Sequence, residues 1–151
     1  MSEEIKNRIP ACMNDRFSTK SITIASLDGI IKLAKETDPS NDYQILLLTA
    51  LGFIKGDICD VATDDNFITK RESLNSYKMD ISYAIKQRNR SIDSLEEENP
   101  NIKPIDNGAT LNLKNVTVYK EDFNNPILSI DQMLIFADQI ISFSMISRNH
   151  N

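Results

Sequence analysis

Four carboxylates lie within nine residues of one another, at Asp57, Asp60, Asp64 and Asp65. Clustered carboxylate oxygens are the ligands that Mg²⁺ and Ca²⁺ prefer in proteins. The spacing does not match an EF-hand loop, because the alternating ligands, the loop glycine and the distal glutamate are missing. These residues are the candidates for a carboxylate-dependent metal site. The interpretation that we favour is a solvated strand end and loop without a bound metal.

A short basic segment, with Lys86, Arg88 and Arg90 in the sequence KQRNR, can contact phosphate groups from a helix surface. The segment itself contains no aromatic residue that would stack on bases, and three glutamates follow at 96–98. The chain carries 17 basic and 22 acidic residues, so its formal charge of −5 opposes the approach of a phosphate backbone. We expect a charged helix surface, with RNA binding through these residues as the alternative.

No other set of residues in the sequence matches a known catalytic arrangement. The single histidine, His150, is next to the last residue, and Cys12 and Cys59 stand 47 positions apart without a neighbouring partner for a zinc site or a redox pair. The four glycines form neither of the common phosphate-binding loop motifs. We expect a protein that is not an enzyme and that binds no cofactor.

The ends and the length of the chain predict its location and domain organisation. The first residues, MSEEIKNR, are acidic where a signal peptide is basic, and no apolar run approaches the roughly 20 residues of a membrane-spanning helix. We therefore expect a cytoplasmic protein. A length of 151 residues suits one domain. The expected organisation is a loosely ordered arm at 1–20, a single α+β domain at 21–147 with an internal loop at 99–108, and a frayed tail at 148–151.

Two segments have the apolar spacing of amphipathic helices. A short helix is predicted from Ser26, which can cap it, to a position before Pro39. A longer helix is predicted over 74–95, where apolar residues recur on one helical stripe. This helix should end near Glu98, because Pro100 disfavours a helical conformation at the residue before it.

The remaining apolar segments have strand character. They lie at 43–51, 52–58, 111–119, 130–136 and 140–146, and the first two are either a hairpin or one long bent strand. Gly56 predicts a bend or a close backbone approach, and a change of alternation at 111–119 predicts either a bulge near Lys114 and Asn115 or a two-sided strand. The sequence therefore predicts an α+β fold with one long and one short helix. Its sheet is a strongly bent antiparallel sheet of about five strands or, alternatively, a small Sm-like β-barrel.

The last two strands carry more bulky apolar residues than one side of a small core can bury. These candidates for a protein interface are Met133, Ile135, Phe136, Ile141, Phe143 and Met145. We expect self-association through the sheet, because edge strands must be covered or paired. In the competing interpretation the two helices cover both faces of the sheet and the protein is a monomer.

The order of the elements resembles the Sm-like small β-barrel topology. In Sm-like RNA binders an Asp/Asn pair follows the second strand and an Arg/Lys-Gly pair precedes the last strand. Here Asp65 and Asn66 match the first pair, whereas Asp138 and Gln139 replace the second. The resemblance implies an RNA-binding alternative in which the second of the two contacts is not matched.

Three segments resemble the bacterial gas vesicle accessory protein U family. They are the G-x-I segment at 56–58, the strand at 111–119, and the ending at 138–146, where Ile141 and Ser142 stand in place of the family's glycine. An insertion lengthens the central helix and loop, and the similarity covers about the C-terminal two thirds of the chain. The resemblance implies a non-catalytic bacterial accessory protein that acts in assembly or clustering through protein–protein contacts.

Overall fold

The computed structural model describes residues 9–14, 17–62, 67–71, 76–106 and 108–148. Within these ranges the helices are α1 (Ala11–Asn14), α2 (Thr19–Thr37) and α3 (Tyr83–Glu98). The strands are β1 (Tyr43–Thr49), β2 (Gly52–Ile58), β3 (Ile68–Arg71), β4 (Ser76–Met79), β5 (Thr110–Tyr119), β6 (Pro126–Phe136) and β7 (Ile140–Ser147), and a 3₁₀ turn at Ala137–Gln139 joins the last two. None of the described helices is both long enough and apolar enough to cross a membrane.

The chain divides into two compact units. One comprises Ser18–Cys59 and Ala109–Asn151, and we call it the sheet unit. The other comprises Met1–Phe17 and Asp60–Gly108, and we call it the insert unit because its larger segment, Asp60–Gly108, interrupts the sheet unit in the sequence. A compact unit is not by itself an independently folding domain, so the single domain expected at 21–147 stays a prediction.

The sheet unit contains one antiparallel sheet of five strands in the order β6-β5-β2-β1-β7. Its core consists of apolar side chains from α2 and from all five strands: Ile24, Ile31, Ile45, Leu47, Ile54, Leu111, Leu113, Val116, Ile135 and Ile140. The predicted α+β class with a five-stranded antiparallel sheet is confirmed. The sheet is not closed, since β6 and β7 are its two edges, so the small barrel stays a prediction.

β5 contains a bulge, which is the first of the two options that its change of alternation left open. The register between β2 and β5 shifts at Gly56, where two residues of β5, Asn115 and Val116, stand opposite one residue of β2. Asn115 has a φ of 53°, which asparagine tolerates better than most residues. A Cβ at Gly56 would lie 3.2 Å from the Lys114 carbonyl oxygen, so glycine allows the close backbone approach at this point.

Helix α2 begins well before the predicted start. Ser18 is its N-cap, and the Ser18 hydroxyl accepts a hydrogen bond from a backbone amide of the first turn at 3.1 Å. Ser26, the predicted cap, lies inside the helix, and its hydroxyl donates to the Ile22 carbonyl. The two serines offer the same capping chemistry, and the burial of Ile24 favours the earlier start. The helix predicted to be short therefore has 19 residues and is longer than α3, which has 16.

The insert unit contains α1, the two-stranded antiparallel sheet formed by β3 and β4, and α3. The helix predicted over 74–95 is wrong in its first part, because Ser76–Met79 is a strand and the helix begins only at Tyr83. Tyr77 and Ile81 fit a helical spacing, but the hydrogen bonds of β4 to β3 stabilise the extended conformation instead.

Both ends of α3 have a local cause. Before the helix, the Asp80 carboxylate accepts hydrogen bonds from the Ser82 amide at 3.0 Å and from the Ser82 hydroxyl at 2.6 Å. This arrangement is typical of a turn, and it separates β4 from α3. At the other end the helix stops at Glu98, before Pro100, as the sequence predicted.

Candidate functional site

Asp57, the first residue of the predicted acidic cluster, binds an arginine. Its carboxylate accepts hydrogen bonds from Arg148, Nη2 to Oδ1 at 2.7 Å and Nη1 to Oδ2 at 3.0 Å, and from Asn115 Nδ2 at 2.8 Å. Burial acts to raise the pKa of Asp57, but the hydrogen bonds from Arg148 and Asn115 outweigh it, and the pKa is lowered from its ordinary value. Arg148 therefore neutralises the Asp57 carboxylate in this structure, which is the role that a bound metal cation would have.

Arg148 also binds Asp42, which precedes β1. Its Nε lies 3.1 Å from Asp42 Oδ2, and Lys35 of α2 donates to the same carboxylate at 3.0 Å. The hydrogen bonds from Lys35 and Arg148 lower the pKa of Asp42, and the hydrogen bonds that Arg148 donates to Asp57 and Asp42 raise its own pKa. We call Lys35, Asp42, Asp57, Asn115 and Arg148 the Arg148 cluster. It joins the end of β7 to α2, to the start of β1 and to the bulge of β5.

Sequence reasoning missed Arg148, which lies in the segment 148–151 where we expected fraying. Its backbone amide also donates to the Asp42 carbonyl at 2.9 Å, so the main chain is held as well as the side chain. A single arginine directly after the last apolar strand was the available signal. Asp42 directly before β1 and Asp57 within β2 complete that pattern, but their distance from Arg148 in the sequence hides the pairing.

Of the four residues of the predicted acidic cluster, the structure describes Asp57 and Asp60. Asp60 belongs to the insert unit and is exposed. Asp64 and Asp65 lie outside the described residues, and so does Asn66 of the Sm-like pair. Within the described ranges, no group of three or more Cys, His, Asp or Glu residues is arranged to hold a metal ion. The carboxylate-dependent metal site stays a prediction.

The basic segment predicted to bind RNA in the alternative makes contacts within the insert unit. Arg88 Nη1 donates to the Gly108 carbonyl at 2.7 Å, and burial lowers the pKa of Arg88. Arg90 Nη1 donates to the Tyr83 hydroxyl at 3.1 Å. Lys86 and Arg90 also lie over the Tyr83 ring, 5.8 and 5.9 Å from its centroid. These contacts stabilise the insert unit. RNA binding by Lys86, Arg88 and Arg90 stays a prediction.

The six predicted interface residues of β6 and β7 do not share one environment. Three belong to the core or pack against it: Met133, Ile135 and Phe143. The other three are exposed: Phe136, Ile141 and Met145. Only the second group is placed where another protein chain can contact it in this fold.

The exposed residues lie on the two edge strands of the open sheet. Among the described strands, β7 pairs only with β1 and β6 only with β5, so each has one side of backbone groups without a strand partner. Ile141 on β7 is 67% exposed, and Ile127 on β6, which sequence reasoning missed, is 63% exposed. The β7 sequence, IISFSMIS, contains neither the charged residues nor the prolines that protect many edge strands. Its register against β1 shifts at Ile141, so β7 is an edge interrupted by a bulge but not protected by charge.

Comparison with known proteins gives no match: no protein-family model, curated protein or solved structure matches the chain significantly. The resemblances to the Sm-like topology and to the gas vesicle accessory protein U family therefore stay predictions from the sequence. A function for this chain has to be inferred from its fold and from the geometry of its described residues.

Proposed function

We propose that this protein is a non-catalytic assembly protein that contacts other protein chains, above all further copies of itself, through the edges of its five-stranded sheet. The observation that carries the proposal is the open sheet, whose edge strands β6 and β7 each pair on one side. An edge strand pairs readily with another strand because its backbone groups are already aligned. The resemblance to the gas vesicle accessory protein U family points to the same kind of role.

A contact between the β7 edge of one copy and the β6 edge of the next covers both kinds of edge, whereas a two-fold contact covers only one kind, so we propose the first. Such a heterologous contact leaves one edge of each kind unused in every pair of chains. Further copies add in the same way, and they form a ring if the rotation between copies closes and a filament if it does not. This mode of contact predicts an assembly larger than a dimer.

The ionisable residues that the sequence singled out support a non-catalytic role. Asp57 binds Arg148 in the sheet unit, and Arg88 binds the Gly108 carbonyl in the insert unit. A catalytic acid or base must be positioned to exchange a proton with a substrate. Asp57 and Arg88 are instead bound to groups of the protein itself and are not positioned to exchange a proton with a substrate. We therefore propose a role in protein contacts rather than in catalysis.

Complementing edge variants test the proposal. Ile141→Asp places a charge on the β7 edge and Ile127→Asp places one on the β6 edge, at exposed positions outside the core. By light scattering at low micromolar concentration, we expect wild type to exceed the 17.1 kDa of one chain and each variant alone to stay at that mass. In a mixture, the intact β6 edge of the Ile141→Asp chain can pair with the intact β7 edge of the Ile127→Asp chain. We therefore expect a mass of about 34 kDa, twice that of one chain.

Asn124→Asp is the matched control, because it adds the same charge at an exposed position in the turn before β6. We expect the control to assemble like wild type. A wild-type mass of 17.1 kDa throughout this range contradicts the proposal, and so does a mixture of the two edge variants that stays at 17.1 kDa.

A further inference from the structure

Helix α2 carries a second apolar stripe on the side that does not face the core. Ile22, Ile30 and Leu33 are 54%, 62% and 62% exposed. With about 100° of rotation per residue, they share one side of the helix with Ser26 and Gly29. We call these five residues the outer stripe. A helix that is apolar on two opposite sides is normally covered on both.

Four of the five charged residues of α2 lie away from the outer stripe, and the fifth, Glu36, lies beside its C-terminal end. Asp28 and Lys32 form an ion pair of 2.7 Å, Lys35 binds Asp42 in the Arg148 cluster, and Lys20 donates to a backbone carbonyl at 2.6 Å. In a helix that faces water on its outer side, that side normally carries the charges. The distribution of charges on α2 is instead typical of a helix with a partner on its outer side.

Gly29 lies in the middle of the outer stripe, and packing within the described chain does not require a glycine there. A Cβ at this position would meet no described atom within 4 Å. Glycine destabilises a helix interior relative to alanine, so the position carries a cost without an intramolecular gain. Together with Ser26, Gly29 leaves room for another helix to approach closely at the centre of the stripe.

We propose that the outer stripe binds the same stripe of a second copy of this chain, with the two α2 helices antiparallel. In a two-fold pair centred between Ser26 and Gly29, each Ser26 lies opposite the second copy's Gly29, and each Ile22 lies opposite its Leu33. Small residues then meet in the middle and bulky residues meet at both ends. The distance from Ile22 to Leu33 along the helix is about 16 Å, so the contact covers most of α2.

The charge pattern also favours a second copy as the occupant. In the same antiparallel pair, Glu36 of the last turn approaches the first turn of the opposite helix, which begins at Thr19. A helix N-terminus favours negative charge, and the first turn of α2 contains no acidic residue of its own. The two-fold pair therefore places a glutamate at both helix N-termini, and no like charges meet across the outer stripe.

The area of the stripe predicts a weak contact. Its three apolar side chains expose roughly 300 Å² per copy, which is well below the roughly 800 Å² per partner of a stable interface. We therefore expect a dissociation constant on the order of 100 µM. The contact does not depend on the sheet edges, and at low micromolar concentration it does not interfere with the mixing experiment on the edge variants.

The experiment uses the Ile141→Asp chain, in which the β7 edge is blocked. By sedimentation from about 20 µM to about 1 mM, we expect its mass to rise from 17.1 kDa towards about 34 kDa. Gly29→Lys in this background should weaken the association at least tenfold while the helix is retained, because lysine is a good helix former. Leu33→Lys, at an exposed position, should act in the same way.

Asn124→Lys is the control with the same added charge outside α2, and we expect it to leave the association unchanged. Circular dichroism checks that each variant keeps its helix content. The proposal is overturned if the Ile141→Asp chain remains at 17.1 kDa up to about 1 mM. It is also overturned if both stripe variants associate as the background does, or if the control loses as much association as they do. The micromolar mixing experiment reports on the sheet edges separately.

Discussion

At the scale of single residues, Arg148 holds the end of β7 in place. Its guanidinium donates to carboxylates from two separate segments, Asp42 before β1 and Asp57 in β2. A planar guanidinium with five N–H donors can bind two carboxylates at once, whereas a lysine ammonium is a single point charge. We infer that the Arg148 cluster positions the edge strand on which the proposed sheet contact depends.

Replacing Arg148 tests this role. Arg148→Met leaves the Asp57 carboxylate without its guanidinium donors, and we expect the free energy of unfolding to fall by roughly 1–2 kcal/mol. Partial exposure of the pair to solvent keeps the loss well below that of a fully buried ion pair. Arg148→Lys keeps the charge but loses the two-pronged contact, so its loss should be smaller. Urea unfolding measures both variants.

A double variant gives the control for direct pairing. Because Arg148 and Asp57 share the same hydrogen bonds, Arg148→Met combined with Asp57→Asn should cost less than the sum of the two single changes. Strictly additive losses would show that the two residues act independently, and this would contradict the role that we assign to the cluster.

The same cluster predicts an acid-sensitive fold. At Asp57 burial acts to raise the pKa, but the hydrogen bonds from Arg148 and Asn115 outweigh it. At Asp42 the hydrogen bonds from Lys35 and Arg148 lower the pKa. Both carboxyl groups therefore have a pKa below the ordinary value of 3.8. A carboxyl whose pKa is lower in the folded chain stabilises the fold above the unfolded pKa, and this contribution is lost as the pH falls through the folded pKa. We expect the free energy of unfolding to decrease below about pH 4.

Arg148→Met is the matched variant for the pH experiment, because it removes a cause of both shifts. The difference in the free energy of unfolding between wild type and variant should shrink between about pH 6 and about pH 2. Urea titrations at several pH values measure this difference. A difference that stays constant over the range would place the acid sensitivity elsewhere in the molecule.

At the scale of helices and strands, the sheet was easier to predict than the helices. The strands of the sheet unit alternate apolar residues because each presents side chains to one core, and this alternation is visible locally. The start of α2 was missed because Ser18 and Ser26 offer the same cap, and only burial of the first turn distinguishes them. β4 was missed because its partner strand, β3, determines its conformation, and a partner is not visible in a local pattern.

The candidate site was predictable to a smaller extent. Asp57 stood out through its acidic neighbours, but its partner Arg148 is 91 positions away in the sequence. The interface candidates were selected by residue type, and residue type does not distinguish Ile135 in the core from Ile141 on the edge. Burial depends on strand order and register, which the fold determines and local spacing does not.

Two glycines give a matched test of α2 and of the β1–β2 hairpin. Gly29→Ala should raise the free energy of unfolding by about 0.5–1 kcal/mol, because alanine favours the helix and space is available. Gly52→Ala should lower it by more than about 2 kcal/mol, because of the positive φ at Gly52 and because a Cβ there would collide with the Tyr119 carbonyl oxygen. Thermal or urea unfolding checks both, and changes of the same sign would contradict the structure.

At the scale of the whole molecule, the two proposed surfaces differ in symmetry. The sheet edges form a heterologous contact that propagates from copy to copy, whereas the outer stripe of α2 forms a two-fold contact that closes with two copies. A chain with both surfaces can therefore link two edge-paired assemblies through their helices. Weak helix contacts repeated along such an assembly act together, so they matter more there than in an isolated pair.

RNA binding is the competing function for the whole molecule. The formal charge of −5 repels a phosphate backbone, and affinity for RNA rests on basic residues that displace counterions from it. Arg88 and Arg90 donate hydrogen bonds within the insert unit, which leaves them poorly placed for that task. We expect no measurable binding of mixed-sequence RNA oligonucleotides in a filter-binding titration at about 150 mM salt.

The choice of variant decides whether this last experiment is informative. Replacing Arg88 or Arg90 breaks hydrogen bonds to Gly108 and Tyr83, so a loss of binding would report on the insert unit as much as on RNA. Lys86→Glu is combined with circular dichroism, because Lys86 also contacts the Tyr83 ring at 5.8 Å and a loss of fold has to be separated from a loss of RNA binding. Lys120→Glu, at an exposed position after β5, is the control with the same change of charge. Tight binding that Lys86→Glu abolishes and Lys120→Glu preserves would replace assembly by RNA recognition as the function of this chain.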